Sequence, residues 1–300
     1  ATHGAYDMEF FTIADQSFLA VASFGNDDTM NVNSYLFRWN GSKLVLYQEF
    51  ATHGAYDVEV FTIAGQTFLA VANFYNGDNN DDTSGDTYNV NSYLFRWSGS
   101  KFELHQEFAT YGARYMEFFT IAGQSFLAVA NYGNGDTVNV NSYVFQWNGS
   151  KFELYQELAT HGACDLEFFT IADQSFLAVA NQNNGLTNNI NSYLFRWNGN
   201  KFELYQDLAT DGAYDMEFFT IAGQSYLAAA YAVNSYLLRW NGNKFESYKE
   251  FATHGARDME LFNVSGQTFL AVANFHGRTF NVPSYLYRWS GSTFELHQEF

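Results

Sequence analysis

Proline, cysteine and charge are all scarce in this 300-residue chain. The single cysteine, Cys164, cannot form an internal disulfide, so the small disulfide-scaffold class is excluded. One proline, 23 glycines and a 47% hydrophobic composition exclude both a collagen-like and a disordered chain. No apolar run approaches the roughly 20 residues that a membrane-spanning helix needs, and we therefore expect no membrane insertion.

The charges that are present are mostly acidic. Fourteen basic residues stand against 32 acidic ones, which gives a net charge of −18. A charge of this sign opposes binding to polyanions, so we expect no nucleic-acid partner. Cations, basic partners and neutral ligands remain compatible with it.

One unit fills the whole chain. A segment that begins with Ala-Thr and ends near Gln-Glu-Phe recurs six times, over residues 1–50, 51–108, 109–158, 159–208, 209–251 and 252–300. No residues are left for a linker, so the sequence predicts one domain over residues 1–300. The last repeat ends in phase with the start of the first, which favours a closed ring.

Each repeat is predicted to form four strands. In the third repeat, segments 116–121, 125–130, 142–147 and 151–156 are rich in β-branched and aromatic residues. Asn148-Gly149, between the last two segments, is a strong hairpin signal. Helical spacing is not sustained anywhere. The sequence therefore predicts an all-β fold, a six-bladed β-propeller with four antiparallel strands per blade.

Four short motifs recur in the repeats: Gly-Ala-x-Asp-x-Glu-x-Phe, Phe-Leu-Ala-Val-Ala-Asn, Ser-Tyr-Leu-Phe-x-Trp and Phe-Glu-Leu-x-Gln. Together they resemble the epilepsy-associated repeat, also called EAR or EPTP, and the resemblance covers all six units. It implies an extracellular, non-enzymatic propeller that binds cell-surface partners, although the family ring usually has seven repeats. Three glycosylation sequons, which begin at Asn40, Asn148 and Asn263, would permit secretion.

The loops that join successive repeats carry candidate ligand-binding residues. In a four-stranded blade, these junction loops lie at the same end as the loops between the second and third strands. That end carries the large differences in loop length, and recognition usually resides in such loops. We expect polar ligands to be bound by the junction residues, with solvated residues of no role as the alternative. They are His3, His53, Tyr111, His161, Asp211 and His254.

Paired acidic residues recur at the start of each first strand. One position holds Asp7, Asp57, Asp165, Asp215 and Asp258, with Tyr115 in the third repeat. A Glu follows two residues later in every repeat, so both side chains share one face of the strand. Converging carboxylates predict a hard cation, Ca²⁺ or Na⁺, in a central channel and held mainly by the aspartates. The alternative is that backbone amides or water satisfy them.

Two further features have competing interpretations. Asp78, Asn80, Asp82 and Ser84 alternate as in a calcium-binding EF-hand loop, but Thr83 replaces the turn glycine, so an acidic loop is favoured. The tryptophans at the ends of the third strands could stack on sugars, but packing between blades is favoured. They are Trp39, Trp97, Trp147, Trp197, Trp240 and Trp289.

No catalytic motif stands out, so the sequence predicts a non-enzymatic protein. A nucleophile with its base is missing, and a glycoside-active enzyme is the remaining catalytic alternative because paired carboxylates recur. The favoured prediction is a secreted, multivalent, lectin-like protein that binds cell-surface glycans or glycoproteins, since near-identical repeats multiply one site. The alternative is an EAR-type module that binds a protein receptor.

Overall fold

The computed structural model describes residues 2–77, 87–275 and 282–300. This part of the chain contains 24 strands and no helix, so the all-β prediction is confirmed. No helix long and apolar enough to cross a bilayer is present in the same residues. The candidate cation ligands Asp78, Asn80, Asp82 and Ser84 lie outside the described residues.

The strands form six four-stranded antiparallel sheets, each built from consecutive strands, as expected of a six-bladed β-propeller. The first three blades contain β1 Ala5–Ile13, β2 Gln16–Ser23, β3 Asn33–Trp39, β4 Leu44–Ala51, β5 Ala55–Ile63, β6 Gln66–Asn73, β7 Asn91–Trp97, β8 Phe102–Ala109, β9 Ala113–Ile121, β10 Gln124–Asn131, β11 Asn141–Trp147 and β12 Phe152–Ala159. The last three contain β13 Ala163–Ile171, β14 Gln174–Asn181, β15 Ser192–Trp197, β16 Phe202–Leu208, β17 Asp215–Ile221, β18 Gln224–Ala230, β19 Asn234–Trp240, β20 Phe245–Ala252, β21 Ala256–Val264, β22 Gln267–Asn274, β23 Tyr285–Trp289 and β24 Phe294–Glu299.

The chain divides into two compact units, Ala1–Gly162 and Ala163–Phe300. Each unit contains three complete blades, and the boundary falls at the start of the fourth blade's first strand. We describe contacts within each unit. The closed single ring over residues 1–300 stays a prediction.

Tight hairpins connect the first and second strands of each blade. In the third blade, Ala122 and Gly123 occupy the turn with φ of 49° and 78°. Two successive residues with positive φ are typical of the type I′ turn, whose twist matches that of the strands. The third and fourth strands are joined by Asn148-Gly149, where the Asn148 side chain accepts hydrogen bonds from the N–H groups of Ser150 and Lys151.

The core lies between neighbouring blades. Between the first two blades, Phe18 and Leu36 from one blade and Leu69 and Phe102 from the next belong to one buried cluster. Small alanines on the second strands let the sheets approach closely. Trp97 packs against Phe18 across this interface with ring centroids 5.5 Å apart, which confirms the packing interpretation for this tryptophan.

Glutamine side chains bridge the outer strands of consecutive blades. Gln48 on β4 donates to the carbonyl of Phe102 at 2.7 Å and accepts from its N–H at 2.9 Å. Gln106 makes the same two bonds with Phe152, at 2.7 and 2.8 Å. Each bridge satisfies backbone groups of the next blade's fourth strand and fixes the register in which the two blades pack.

Candidate functional site

The junction loops and the loops between second and third strands lie together, as predicted. The N–H of Gly54 donates to the carbonyl of Met30 at 2.7 Å, and that of Gly112 donates to Tyr88 at 2.6 Å. Gly54 has a φ of 53°, and an added Cβ would lie 3.0 Å from the carbonyl oxygen of Tyr75. A side chain here would be strained and crowded, which explains why the junctions use glycine.

A buried hydroxyl pair holds each junction in place. The threonine before the junction residue contacts a serine on the third strand, for example Thr52 with Ser34 at 2.8 Å and Thr110 with Ser92 at 2.9 Å. Thr52 also donates to the carbonyl of Val32 at 2.8 Å. These groups are buried and fully bonded, so the junction backbone has a defined position.

Three junction residues are also held through their backbone N–H by an asparagine at the end of a second strand. The backbone N–H groups of His53 and His254 donate to the side-chain oxygens of Asn73 and Asn274 at 3.1 and 3.0 Å. Tyr111 is held in the same way by Asn131, at 3.0 Å. The Ala-Asn motif therefore orients these three residues, whereas the first and fifth repeats have Ser23 and Tyr231 at the equivalent position.

The side chains of the junction residues lie beside a tyrosine of the third strand. Ring centroids are 6.1 to 6.3 Å apart in four pairs, His3–Tyr35, His53–Tyr93, Tyr111–Tyr143 and His254–Tyr285. In the fifth repeat the hydroxyl of Tyr236 donates to Asp211 at 2.9 Å. The structure thus brings each of these five predicted residues to an equivalent tyrosine, which the sequence analysis did not select.

Two junction histidines are also fixed by a loop asparagine. Nδ1 of His53 lies 2.5 Å from the side-chain oxygen of Asn31, and Nδ1 of His161 lies 2.6 Å from that of Asn139. Since an amide oxygen only accepts, Nδ1 carries the hydrogen in this contact, and in a neutral ring Nε2 is then left as an acceptor. Burial lowers the pKa of His53, so it is neutral at pH 7.

An asparagine–glutamate pair completes the arrangement. Asn33 on β3 donates to Glu49 on β4 at 2.7 Å, and Asn91 on β7 donates to Glu107 on β8 at the same distance. Tyr35 lies directly opposite Glu49 in the strand register, so the pair borders the tyrosine. We call each set of junction residue, third-strand tyrosine and Asn–Glu pair a junction site. Equivalent Asn–Glu pairs are Asn141–Glu157 and Asn234–Glu250.

The first-strand aspartates bind backbone amides of the following blade. The N–H of Met116 donates to Asp57 at 2.8 Å, and that of Met259 donates to Asp215 at 2.9 Å. Asp7 accepts from Val58 at 3.2 Å, and Asp165 accepts from Met216 at 2.9 Å. This is the backbone-amide arrangement that the sequence analysis left open.

The glutamates two residues later do the same. Phe218 donates to Glu167 at 3.0 Å, and Leu261 donates to Glu217 at 3.4 Å. Each blade interface within the units therefore carries a carboxylate pair aligned with two N–H groups of the next first strand. These bonds set the register of one blade against its neighbour.

Burial raises the pKa values of these carboxyl groups. In the first unit, burial and the charge of Glu59 raise the pKa of Glu9 to about 8, and burial raises the pKa of Glu59 to about 7. In the second unit, burial and the charge of Glu260 raise the pKa of Glu217 to about 8. Burial also raises the pKa of Asp57 well above its usual range. Several of these groups are protonated near neutral pH.

No three acidic, histidine or cysteine side chains within the described ranges come close enough together to hold a metal ion. The aspartates predicted as ligands, Asp7, Asp57, Asp165 and Asp215, each use one oxygen to accept an amide hydrogen bond. This geometry does not supply a preformed cage for Ca²⁺ or Na⁺. The cation predicted from the sequence stays a prediction.

Fold and repeated sites together define a repeat-built β-propeller. The EPTP domain profile matches the sequence six times, over residues 1–40, 43–98, 101–148, 151–198, 201–241 and 244–290. The chain belongs to the EPTP, or EAR-repeat, family, which confirms the resemblance stated from the motifs. Members of this family are binding modules, so a binding role is the general class of function.

Two curated relatives carry EAR repeats in their names. The thrombospondin-type laminin G domain and EAR repeat-containing protein of Mus musculus is 38% identical over 138 residues. Its Homo sapiens counterpart is 39% identical over 137 residues. The aligned segments cover 45% and 44% of this chain but only 19% of each relative.

Solved structures share the fold at low sequence identity. A candidate 6-phosphogluconolactonase from Bacteroides uniformis is 12% identical with a TM-score of 0.65, and the alignment covers 94% of this chain and 82% of that one. Saccharomyces cerevisiae Sqt1 is 10% identical with a TM-score of 0.65, and the alignment covers 100% and 75% of the two chains. At this identity the likeness shows the propeller fold and does not transfer activity.

Proposed function

We propose that this chain is a secreted, non-enzymatic and multivalent protein that binds cell-surface glycans or glycoproteins at its junction sites. The observation that carries the proposal is the recurrence of one polar arrangement. The junction residue lies beside the third-strand tyrosine with nearly the same separation in four repeats. Extracellular location is part of the proposal and is supported by the named domains of the relatives.

The groups of a junction site match the chemistry of sugars. Tyrosine hydroxyls donate and accept, glutamate oxygens accept, and Nε2 of a neutral histidine accepts, so together they complement sugar hydroxyl groups. The site of the second repeat combines His53, Tyr93 and the Asn91–Glu107 pair. The Asn91–Glu107 hydrogen bond and the bonds of His53 to Asn31 and Asn73 preorganise the site, which lowers the entropy lost on binding.

Near-identical repeats provide several copies of the same binding site on one chain. A single polar site of this kind binds weakly, whereas several linked sites gain avidity when a surface offers several glycan ends. Catalysis would need one distinct constellation, and here equivalent groups recur from repeat to repeat. The sequence pattern and the geometry therefore both favour binding over catalysis.

A triple substitution tests the proposal. Tyr35→Phe, Tyr93→Phe and Tyr143→Phe together remove three junction-site hydroxyls and keep the rings. We expect glycan-array signals and agglutination to fall much further than in a matched triple control, Tyr47→Phe, Tyr205→Phe and Tyr248→Phe. The control hydroxyls donate to backbone carbonyls near the third-to-fourth-strand hairpins. A wild-type protein without sugar-dependent binding at any calcium concentration would refute the proposal.

A protein receptor is the second candidate, favoured by an aromatic cluster in the first unit. Tyr6, Phe24, Tyr56 and Phe74 contact one another with centroid separations of 4.3 to 6.2 Å. Tyr6 is 55% exposed, and aromatic residues of this kind often anchor protein interfaces. Receptor binding that survives the triple junction substitution but is lost on Tyr6→Ala would favour this candidate.

A further inference from the structure

The junction site of the fifth repeat differs from the others in the charge of its junction residue. This residue is Asp211, whereas the other five repeats have His or Tyr at the same position. The hydroxyl of Tyr236 donates to Oδ2 of Asp211 at 2.9 Å. Among the residues that the structure describes, no group donates to Oδ1, and Asp211 is partly exposed. One carboxylate oxygen is therefore available to accept from a ligand.

The backbone of this junction also differs from that of its equivalents. In three repeats a second-strand asparagine such as Asn131 accepts from the N–H of the junction residue, but the fifth repeat has Tyr231 at that position. Asp211 adopts a φ of 55°, a left-handed conformation that aspartate tolerates better than most residues. In this conformation its carboxylate lies on the hydroxyl of Tyr236, whereas four other junction residues lie beside the tyrosine ring.

A shortened loop removes a segment that borders the junction in other repeats. Only residues 231–233 connect β18 to β19, whereas residues 132–140 connect β10 to β11 in the third repeat. In that repeat the N–H of Gly133, from the longer loop, donates to the carbonyl of Tyr111 at 3.1 Å. The three-residue loop has no equivalent of the rest of that segment, so the loop of the fifth blade leaves Asp211 accessible from this side.

Aromatic and acidic groups lie around the Asp211 carboxylate. Burial and the charge of Asp211 raise the pKa of Tyr231. Burial and the hydrogen bond to Asp211 raise the pKa of Tyr236 to about 12, so this hydroxyl keeps its proton and stays the donor. Glu250 lies opposite Tyr236 in the strand register and accepts from Asn234. The site thus combines two carboxylates with two tyrosine rings.

We propose that the fifth junction site binds the protonated amine of an unacylated amino sugar, with Asp211 as the residue that determines this specificity. The inference rests on the proposed function in placing a sugar at a junction site. An ammonium group has three donors for oxygens such as Oδ1 of Asp211, and it is attracted to the faces of tyrosine rings. Glu250 can accept from a sugar hydroxyl, which a lysine side chain does not offer.

The same groups fit an ammonium group better than a metal ion. Calcium takes six to eight oxygen ligands, and within the described ranges no three acidic, histidine or cysteine side chains come together to hold a metal. A hydrogen bond from an ammonium group to a carboxylate is charge-assisted and therefore stronger than one between neutral groups. Junction sites with His or Tyr lack this charge, so the fifth site alone should select the amine.

Calorimetric titration of the full chain with a glucosamine disaccharide and with its N-acetylated counterpart tests the proposal. At about pH 6 an amine of ordinary basicity is protonated, and acetylation removes its charge. We expect wild type to bind the free amine more tightly than the acetylated sugar. Asp211→Asn keeps an acceptor oxygen for Tyr236 and removes the charge, so affinity for the free amine should fall about tenfold, while that for the acetylated sugar should change less than about twofold.

Asp173→Asn is the matched control. Asp173 is exposed and has a φ of 64°, but it lies in the hairpin between β13 and β14, at the opposite end of its blade. The same loss of charge should therefore leave both affinities unchanged. Equal losses in the two variants, or a wild type that does not distinguish the two sugars, would overturn the proposal. Equally tight binding of Nα-acetyl-lysine amide would assign the site to a lysine side chain and overturn the amino-sugar class.

The triple variant Tyr35→Phe, Tyr93→Phe and Tyr143→Phe separates this inference from the proposed function. It leaves the fifth site unchanged, so binding of the soluble glucosamine disaccharide should persist, and loss of that binding would overturn the location at Asp211. A wild type that binds no neutral glycan, but still binds the amine through Asp211, would refute the multivalent function and support the amine site.

Discussion

Replacement of Glu59 by glutamine tests how the carboxyl groups of the first strands affect stability. Glu59 lies on β5, in the middle blade of the first unit, and burial is the main reason why its pKa rises from 4.5 to about 7. The N–H of Phe118 opposes the rise, and the charge of Asp7 adds to it. Glutamine keeps an acceptor oxygen for that N–H and has no charge to bury, so it imitates the protonated glutamic acid.

The size and sign of the effect follow from the pKa values. Between pH 4.5 and about 7, folded protein keeps a proton on Glu59 that unfolded protein has lost. The stability from this group is therefore fully present below pH 4.5 and is lost as the pH rises through 7. One pKa unit corresponds to roughly 1.4 kcal/mol, so the loss is at most about 3 kcal/mol.

Urea unfolding at pH 4, 6 and 8 in the presence of a chelator measures the difference between Glu59→Gln and wild type. We expect no difference at about pH 4 and a variant more stable by up to about 3 kcal/mol at about pH 8. Glu103→Gln is the control, because Glu103 is exposed and 3.2 Å from Lys101, and its effect should stay below about 1 kcal/mol. A Glu59→Gln difference that does not change with pH would refute the reasoning.

Three other outcomes are expected. Lys249 donates to the carbonyl of Phe294 at the position where other repeats have a bridging glutamine such as Gln206. Lys249→Gln should therefore raise the free energy of unfolding by about 1 kcal/mol, and Gln206→Lys should lower it by a similar amount. Urea unfolding midpoints equal to that of wild type would contradict this. Ser92→Ala removes a buried contact to Thr110 and should cost about 1–3 kcal/mol, and a variant as stable as wild type would show that the contact is dispensable. If the predicted axial cation binds, calorimetric titration with Ca²⁺ should show binding, and the binding should be stronger at about pH 9 than at about pH 6 because carboxyl groups with raised pKa values must first lose their protons. No heat of binding, together with a melting temperature that a chelator does not change, would refute the cation prediction.

The fold could be predicted because each repeat contains its own local signals. Turn residues such as Asn148-Gly149 separate short runs of strand-forming residues, and those signals recur in every repeat. Strand ends were predicted less well. The fourth strand of the third repeat was expected over residues 151–156, but β12 extends to Ala159 because Leu158 and Ala159 pair with Ser142 and Asn141. A register shift beside Val144 makes room for that pairing.

The candidate site was predicted only in part. The junction residues were found because loop length varies near them, but the third-strand tyrosines were not, since a tyrosine in a strand motif resembles a core residue. Gln48 was also missed, because its partner Phe102 lies 54 positions away along the chain. Comparison of repeats could have indicated it, since the same position holds glutamine in five repeats and lysine at Lys249.

The carboxyl groups of the first strands and the bridging glutamines of the fourth strands have a common physical role. Second strands rich in alanine, such as the one with Ala70 and Ala72, present a smooth apolar surface on which a neighbouring blade could slide. Apolar burial is non-directional, so it gives cohesion without choosing a register. Hydrogen bonds at both edges, at Asp57 on the inside and at Gln48 on the outside, are satisfied in one register only. Buried acids with raised pKa values are tolerated because they specify this register.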